Sequence, residues 1–242
     1  MLEAIYIKVQ ADLKQKIYRG EFPSMKLPDE RTLAEQYHVS RSSIKRALNV
    51  LAQQGVIFKK RGSGTFVNPL YLKNQDIFRY NGSNLGVTDS FRIHGETPTI
   101  EVLDFQVLPA TKEQQLALFL NEDDFVYWIK RLRRLAGKPF MIENGYVPIR
   151  VLPSLTQKDV SGSVYEYVER TKKRSVTKSF MTIMAEPSNN EDQTLLELSP
   201  TEPVGIMEGI FFMDDGTPLE YTTMRLHYQY LHYSAFVSLD GE

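Results

Sequence analysis

The chain has 242 residues, 42% of them hydrophobic, enough for two domains with separate cores. With no cysteine it forms neither disulfides nor thiolate metal sites, and its four histidines, His38, His94, His227 and His232, are too scattered for a metal cluster. The net charge of −1 hides a split, since residues 1–68 carry 12 basic and 6 acidic side chains and the rest carry 17 and 24, as suits a head that touches phosphates on a body that avoids them.

Ile5, Val9, Leu13 and Ile17 recur every fourth residue, predicting an amphipathic helix that Gly20 ends. This opening has no apolar signal core, and no later run approaches membrane-spanning length, so a cytoplasmic protein without a membrane partner is expected. Asp29 is placed to cap a second helix over residues 30–37, with Leu33 and Ala34 facing inward. His38-Val39 makes a turn, and Ser40 caps a third helix over residues 41–54, where Ile44, Ala47, Leu48 and Leu51 keep helical spacing up to Gly55. Its first turns present Arg41, Ser42, Ser43, Lys45 and Arg46, where side chains can reach a major groove and the positive helix end favours phosphate. Alone, that pattern more often marks a solvated basic face, since such faces are common. Residues 56–67 add a hairpin pattern with apolar ends and a tip of Lys60, Arg61, Gly62, Ser63 and Gly64. Glycine lets such a tip approach DNA closely, with Lys60 and Arg61 in the minor groove or on the backbone. A nucleotide phosphate loop would need a longer Gly-to-Lys spacing.

The segments Leu27-Pro28-Asp29-Glu30-Arg31, Val39-Ser40-Arg41, Ala47-Leu48, Leu51, Gly55 and Gly62-Ser63-Gly64-Thr65-Phe66-Val67 resemble the winged helix-turn-helix head of GntR-family bacterial transcription regulators over nearly all of residues 5–67. The resemblance implies that Arg31 and Arg41 contact double-stranded DNA, with Gly62 at the wing tip. Lys45 stands where the family has a third arginine, a point charge in place of a planar fork, with Arg46 beside it. One such head reads only a few base pairs, so a homodimer on a palindromic operator is expected, joined mainly through the second domain.

Asn68-Pro69 breaks the wing strand, and residues 69–84 read as a connector too apolar to be a floppy linker. A short helix and turn around residues 84–98 lead to a strand over 99–108. Beyond it lies an internal repeat. Glu113, Gln115, Leu118, Leu120 and Val126 recur 78 residues later as Glu191, Gln193, Leu196, Leu198 and Val204, and Gly137-Lys138-Pro139 recurs 79 later as Gly216-Thr217-Pro218. Each copy reads helix, strand, Gly-x-Pro turn, strand, predicting a pseudo-twofold α+β domain on a central antiparallel sheet. A helix over residues 163–170 and a strand over 175–184 separate the copies.

In the strand from Val126, residues Tyr127, Ile129, Arg131 and Arg133 share one face. Two guanidiniums so close need an anion between them. A phosphate fits their donor forks, with Glu143 on the return strand as an acceptor for ligand hydroxyls. Equally, they pair internally with Glu143, Glu208 or Glu220. The series Thr88, Gly95, Pro98, Arg131-x-Arg133, Gly137-x-Pro139, Glu143, Ser163-x-Tyr165 and Gly216-x-Pro218-x-Glu220 resembles the HutC-type UTRA effector domain of GntR regulators, over about residues 85–240. That implies a chorismate-lyase-like fold and an effector of the sugar-phosphate kind. Arg131, Arg133, Ser163, Tyr165 and the backbone amides of Gly86, Val87, Thr88 and Asp89 would hold the phosphate, and Glu143 and Glu220 would meet the sugar. Gly209 stands where the second repeat often has arginine, and Gln229-Tyr230-Leu231 where the family has Asp-Arg-Tyr.

The expectation is an α+β protein: a winged helix-turn-helix domain over residues 1–68, a linker over 69–84 and an effector-binding, dimerising domain over 85–242. Its function is that of a ligand-responsive DNA-binding regulator, a repressor in sugar or related metabolism, with no cofactor and no catalytic residues. Two other readings remain open, a constitutive DNA-binding protein with a vestigial pocket and a lyase-like enzyme.

Overall fold

In the computed structural model, which describes residues 5–73 and 98–231 in two units, the first unit is built on helix α1 (Ile5–Tyr18), whose Val9, Leu13 and Ile17 are buried as the four-residue spacing predicts. Helix α2 (Glu30–Tyr37) starts where Asp29 accepts a hydrogen bond from the Thr32 amide at 2.8 Å, and it stops at His38, which turns left-handed at φ 52°. Ser40 then caps α3 (Arg41–Gln53). Leu13, Ile17, Leu33, Ile44, Leu48 and Leu51 close a core among the three helices and the wing, which is β1 (Ile57–Lys60) paired with β2 (Gly64–Val67). Residues 25–27 add a further edge: Leu27 donates to the Thr65 carbonyl at 2.9 Å and Val67 to that of Met25 at 2.8 Å. The expected connector opens as a helical turn, α4 (Pro69–Lys73), whose Tyr71 and Leu72 pack on this same core. The rest of the connector and the helix and turn expected around residues 84–98 lie outside the described residues, apart from Pro98.

The second unit runs β3 (Thr99–Pro109), α5 (Lys112–Leu118), β4 (Phe125–Leu135), β5 (Lys138–Pro148), α6 (Gln157–Val160), α7 (Val164–Lys172), β6 (Val176–Pro187), α8 (Asn190–Leu195), β7 (Pro203–Met213) and β8 (Pro218–His227), then a 3-10 turn (Tyr228–Tyr230). The strands form one antiparallel sheet ordered β3-β4-β5-β8-β7-β6. This order is the predicted duplication made visible. Each copy reads strand, helix, hairpin, and the copies meet where β5 pairs β8, with Asn144 opposite Thr223, its own counterpart at the 79-residue offset. The offset grows from 78 to 79 at the hairpin turns. Two residues, Ala136-Gly137, separate the paired Leu135 and Lys138, whereas three, Asp214-Asp215-Gly216, separate Met213 from Thr217, whose carbonyl accepts from the Met213 amide at 2.9 Å. Both hairpins carry a bulge at the same place, after Arg133 and after Phe211.

The copies agree in finer detail. Thr111 and Gln114 form a capping box on α5, and 78 residues on, Asn189 and Asp192 form one on α8. These boxes place the helix starts; α5 ends at left-handed Phe119 (φ 53°), and α8 ends at Leu195, just before its C-cap Leu196. Both cover the same sheet face and reach across the join. Glu113 of α5 accepts from the Tyr221 hydroxyl of β8 at 2.8 Å, and Glu191 of α8 pairs with Lys130 of β4. The opposite face, carrying Tyr127, Ile129 and Val147, packs against Leu152, Val160, Val164 and Val168 from α6, α7 and the chain before them.

The glycine that replaces arginine in the second repeat has a steric cause. A Cβ on Gly209 would lie 2.4 Å from the Phe180 carbonyl oxygen and 3.2 Å from the Met181 Cα, both backbone atoms of the neighbouring strand. No side chain fits without moving β6 from β7. Gly209→Ala is therefore expected to destabilise the protein by about 1–3 kcal/mol, read as a melting temperature several degrees lower, whereas Gly162→Ala, with a nearest contact of 3.7 Å, leaves melting nearly unchanged.

Candidate functional site

The head displays its basic residues as the sequence implied. Arg31, Arg41, Ser42, Lys45, Arg46, Lys60, Arg61 and Gly62 are exposed, and Ser43 is half-buried. Arg41, Ser42 and Ser43 form the first turn of α3, and Lys45 follows one turn after Arg41. The two serines are partly engaged: their hydroxyls lie 2.8 and 2.9 Å from the Ser40 hydroxyl, which caps the helix. Arg46 stacks its guanidinium 4.0 Å from the centre of the Tyr6 ring, which orients it against α1 and sets it apart from the freer Arg41 and Lys45. Arg31 makes a 4.0 Å contact with Glu35 on the exposed α2 surface. At the wing tip Gly62 takes φ 74° with open space around it, the conformation a non-glycine residue would resist, and Lys60 and Arg61 flank it. Lys59, by contrast, is tied to Asn49 at 3.0 Å and Glu30 at 3.6 Å.

In the second unit, β4 and β5 set Arg131 directly opposite Glu143 and Arg133 opposite Met141, all on one face. Both guanidiniums are buried, and one carboxylate holds both: Arg131 Nη2 donates to Glu143 Oε1 at 2.7 Å and Arg133 Nε to Oε2 at 2.8 Å. Of the two internal partners that spacing left open besides Glu143, Glu208 lies on the other face, accepting from the Tyr221 hydroxyl at 2.5 Å. Glu220, on β8, is buried in the same cluster, and its carboxyl is within hydrogen-bonding reach of the Tyr165 hydroxyl. Arg131 also donates from Nη1 to the carbonyls of Val160 and Gly162, both at 3.2 Å, which ties the start of α7 to the sheet. Ser163 caps α7 through the Glu166 amide at 3.3 Å. Gly86, Val87, Thr88 and Asp89 lie outside the described residues.

The electrostatics follow from burial. Desolvation pushes Glu143 up, but Arg131 and Arg133 outweigh it and bring its pKa down to about 2. Burial, and then the negative Glu143, push Glu220 up to about 7. Burial, with Glu220 and Glu143 nearby, raises the Tyr165 hydroxyl well above its usual value, keeping it a donor. Near neutral pH two permanent positive charges therefore face one full and one partial negative charge. Two buried atoms of this cluster have no partner among the described residues, Arg131 Nε and Glu220 Oε1.

Sequence reasoning missed two contributors. Gly145 leaves space that the Glu220 carboxyl fills, since a Cβ there would sit 2.3 Å from Oε1. A glycine inside a strand was the readable signal. Thr222, buried beside them, donates to the Asn144 carbonyl at 3.1 Å.

Residues 5–67 match the description of bacterial regulatory proteins of the gntR family, and residues 94–232 match the UTRA domain. The chain belongs to the GntR family. Similar to this regulator are the mannosyl-D-glycerate transport/metabolism system repressor MngR of Escherichia coli, 31% identical over 90% of this chain and 89% of that protein, and the transcriptional regulator GmuR of Bacillus subtilis, 28% identical over 92% of each. The crystal structure of the possible transcriptional regulator YydK from Bacillus subtilis shares the fold, with a TM-score of 0.78 at 24% identity over 98% of this chain and 100% of that one. The protein is thus a DNA-binding transcription regulator and not an enzyme, and no helix among its described residues is long and apolar enough to cross a membrane.

The regulator's buried acids carry opposite pH signatures. Glu220, raised above its unfolded value of 4.5, stabilises the fold relative to its ionised state below pH 4.5 and loses that contribution as pH rises through about 7. Glu143, lowered to about 2, contributes above pH 4.5 and loses its share on acidification. Melting followed from pH 5 to 8 should show Glu220→Gln matching the wild type at the acidic end and exceeding it above pH 7, by on the order of 2–3 kcal/mol. Curves that stay parallel across the range would contradict the assignment.

Proposed function

We propose that the protein is a repressor acting in the cytoplasm as a homodimer on a palindromic operator, and that a small anionic metabolite, of the sugar-phosphate or sugar-acid class, lowers its grip on DNA. The carrying observation is the charge imbalance around Arg131 and Arg133, two buried guanidiniums against Glu143 and a half-neutral Glu220. Arg131 Nε is an unused donor for an incoming oxyanion, and Tyr165 and Ser163 begin the adjoining helix. Gly86, Val87, Thr88 and Asp89 would close over the anion, and Glu220 would meet its hydroxyls. A relative named for mannosyl-D-glycerate, a sugar bearing a carboxylate, supports this ligand chemistry. On the DNA side, Arg41, Ser42, Ser43, Lys45 and Arg46 enter the major groove, Arg31 braces the backbone, and Lys60, Arg61 and Gly62 form the wing contact. The domain division follows: head over residues 1–68, linker over 69–84, sensor and dimer interface over 85–242.

A second reading, a DNA-binding protein whose pocket no longer senses anything, draws on Glu143, which already occupies both arginines. A thermal-shift panel of sugar phosphates and sugar acids, followed by operator gel shifts, separates the two. The sensing reading expects at least one compound that both raises the melting temperature and releases DNA. If the whole panel leaves both unchanged, the second reading stands. In the same gel shifts, Arg41→Ala should cost about 1–3 kcal/mol and relax sequence preference, whereas Lys60→Ala should weaken all sequences alike and reduce the salt slope by about one.

A further inference from the structure

The two copies in the second unit leave two outer strands, β3 and β6, and these treat their open edges differently. Exposed strand edges invite pairing with another chain, and proteins blunt them with bulges and charges. Strand β3 is blunted in its middle: its ladder breaks between Val102 and Asp104, and the Asp104 carboxylate accepts from the Phe105 amide at 2.8 Å and the Gln106 side chain at 2.9 Å. Strand β6 has its one bulge at the start, between Val176 and Lys178, after which it runs unbroken to Pro187. No described strand pairs with its outer side. It also exposes large apolar side chains, Phe180 at 69% and Met184 at 38%.

The order of residues along β6 is self-complementary. Lys178, Phe180, Thr182, Met184 and Glu186 alternate onto one exposed face, and Met181 and Ile183 onto the other, where they pack beside Met207. Reversing the strand about Thr182 sets Lys178 against Glu186, Phe180 against Met184 and Met181 against Ile183. Shifting the centre by one residue sets Lys178 against Met184 and Phe180 against Thr182, which loses both the charge match and the apolar match. A twofold interface requires this self-matching, because each residue must suit the position it meets in the reversed copy. An antiparallel pair formed this way would gain two opposite-charge pairs and two apolar pairs on the exposed face.

We propose that β6 is the dimer seam: two copies of this chain join edge to edge through antiparallel β6 strands centred on Thr182, making one continuous twelve-stranded sheet from the six strands of each. The inference rests on the homodimer proposed above and adds its register. Glu186 also lies 3.5 Å from Arg225 within its own chain, so Lys178 is the cleaner position to reverse.

The full chain has no native cysteine, which permits site-specific cross-linking. A cysteine at 182 would face its own mate at about 4.5–5.5 Å between Cα atoms, within disulfide reach. Thr182→Cys is expected to give a covalent dimer on mild oxidation, whereas Val107→Cys on the β3 edge is not. In analytical ultracentrifugation K178E should weaken self-association about tenfold or more by placing like charges opposite one another twice, and K178E/E186K should restore it. Melting curves check that each variant folds. A dimer that persists unchanged in K178E, with no cross-link at 182, overturns the seam and leaves the homodimer standing. A wild-type chain that stays monomeric at high concentration removes both.

Discussion

One carboxylate between two guanidiniums governs the second half of the molecule. Burying three charges is costly unless each is met by a partner in good geometry, and Glu143 meets both Arg131 and Arg133 at normal hydrogen-bond distances. That demand fixes the β4–β5 register, because a slip of one residue would turn Glu143 to the opposite face. It also requires Gly145, whose missing side chain leaves room for Glu220. Through Arg131 and the carbonyls of Val160 and Gly162, the same cluster anchors the loop that starts α7. An anion that drew Arg131 away from these carbonyls would loosen that anchor, giving a charged ligand a direct mechanical handle on a helix.

The two copies have kept their scaffold and divided their chemistry. Capping boxes, bulges and hairpins recur in both. Yet the positions equivalent to Arg131, Arg133 and Glu143 are Gly209, Phe211 and Thr222. Gly209 admits no side chain, and Phe211 is buried against Tyr165 at 5.7 Å between ring centres. The second copy thus supplies an apolar wall and the acid Glu220 to a charged site that belongs to the first, so the described residues hold one cluster of this kind and not two.

Much of this was legible before any coordinates. In the head, Asp29, Ser40 and Gly55 mark element ends by local chemistry, and local chemistry survives folding. The duplication showed because a repeat needs only an offset. The face shared by Arg131 and Arg133 followed from strand periodicity, but their partner did not. Glu143, Glu208 and Glu220 sit on three strands, and which of them meets an arginine depends on a register between strands that no local pattern encodes. Helical spacing sets Arg46 among the groove-facing residues, but its stacking on Tyr6 comes from packing between α1 and α3, which that spacing does not encode. Thr111-x-x-Gln114 and Asn189-x-x-Asp192 are helix-start signals legible in the sequence, because a capping box is local chemistry.

The central ladder joins Met141 to Leu226, residues far apart along the chain. During synthesis the first hairpin therefore leaves the ribosome long before β8 exists to cover the bare side of β5. The three helices and the wing of the first unit all precede β3, while the sheet of the second unit is not closed until β8 has been made. From the end of β5 at Pro148 to the start of β8 at Pro218 the nascent chain carries an unshielded strand, and its yield in the cell should depend on how well chaperones guard that interval.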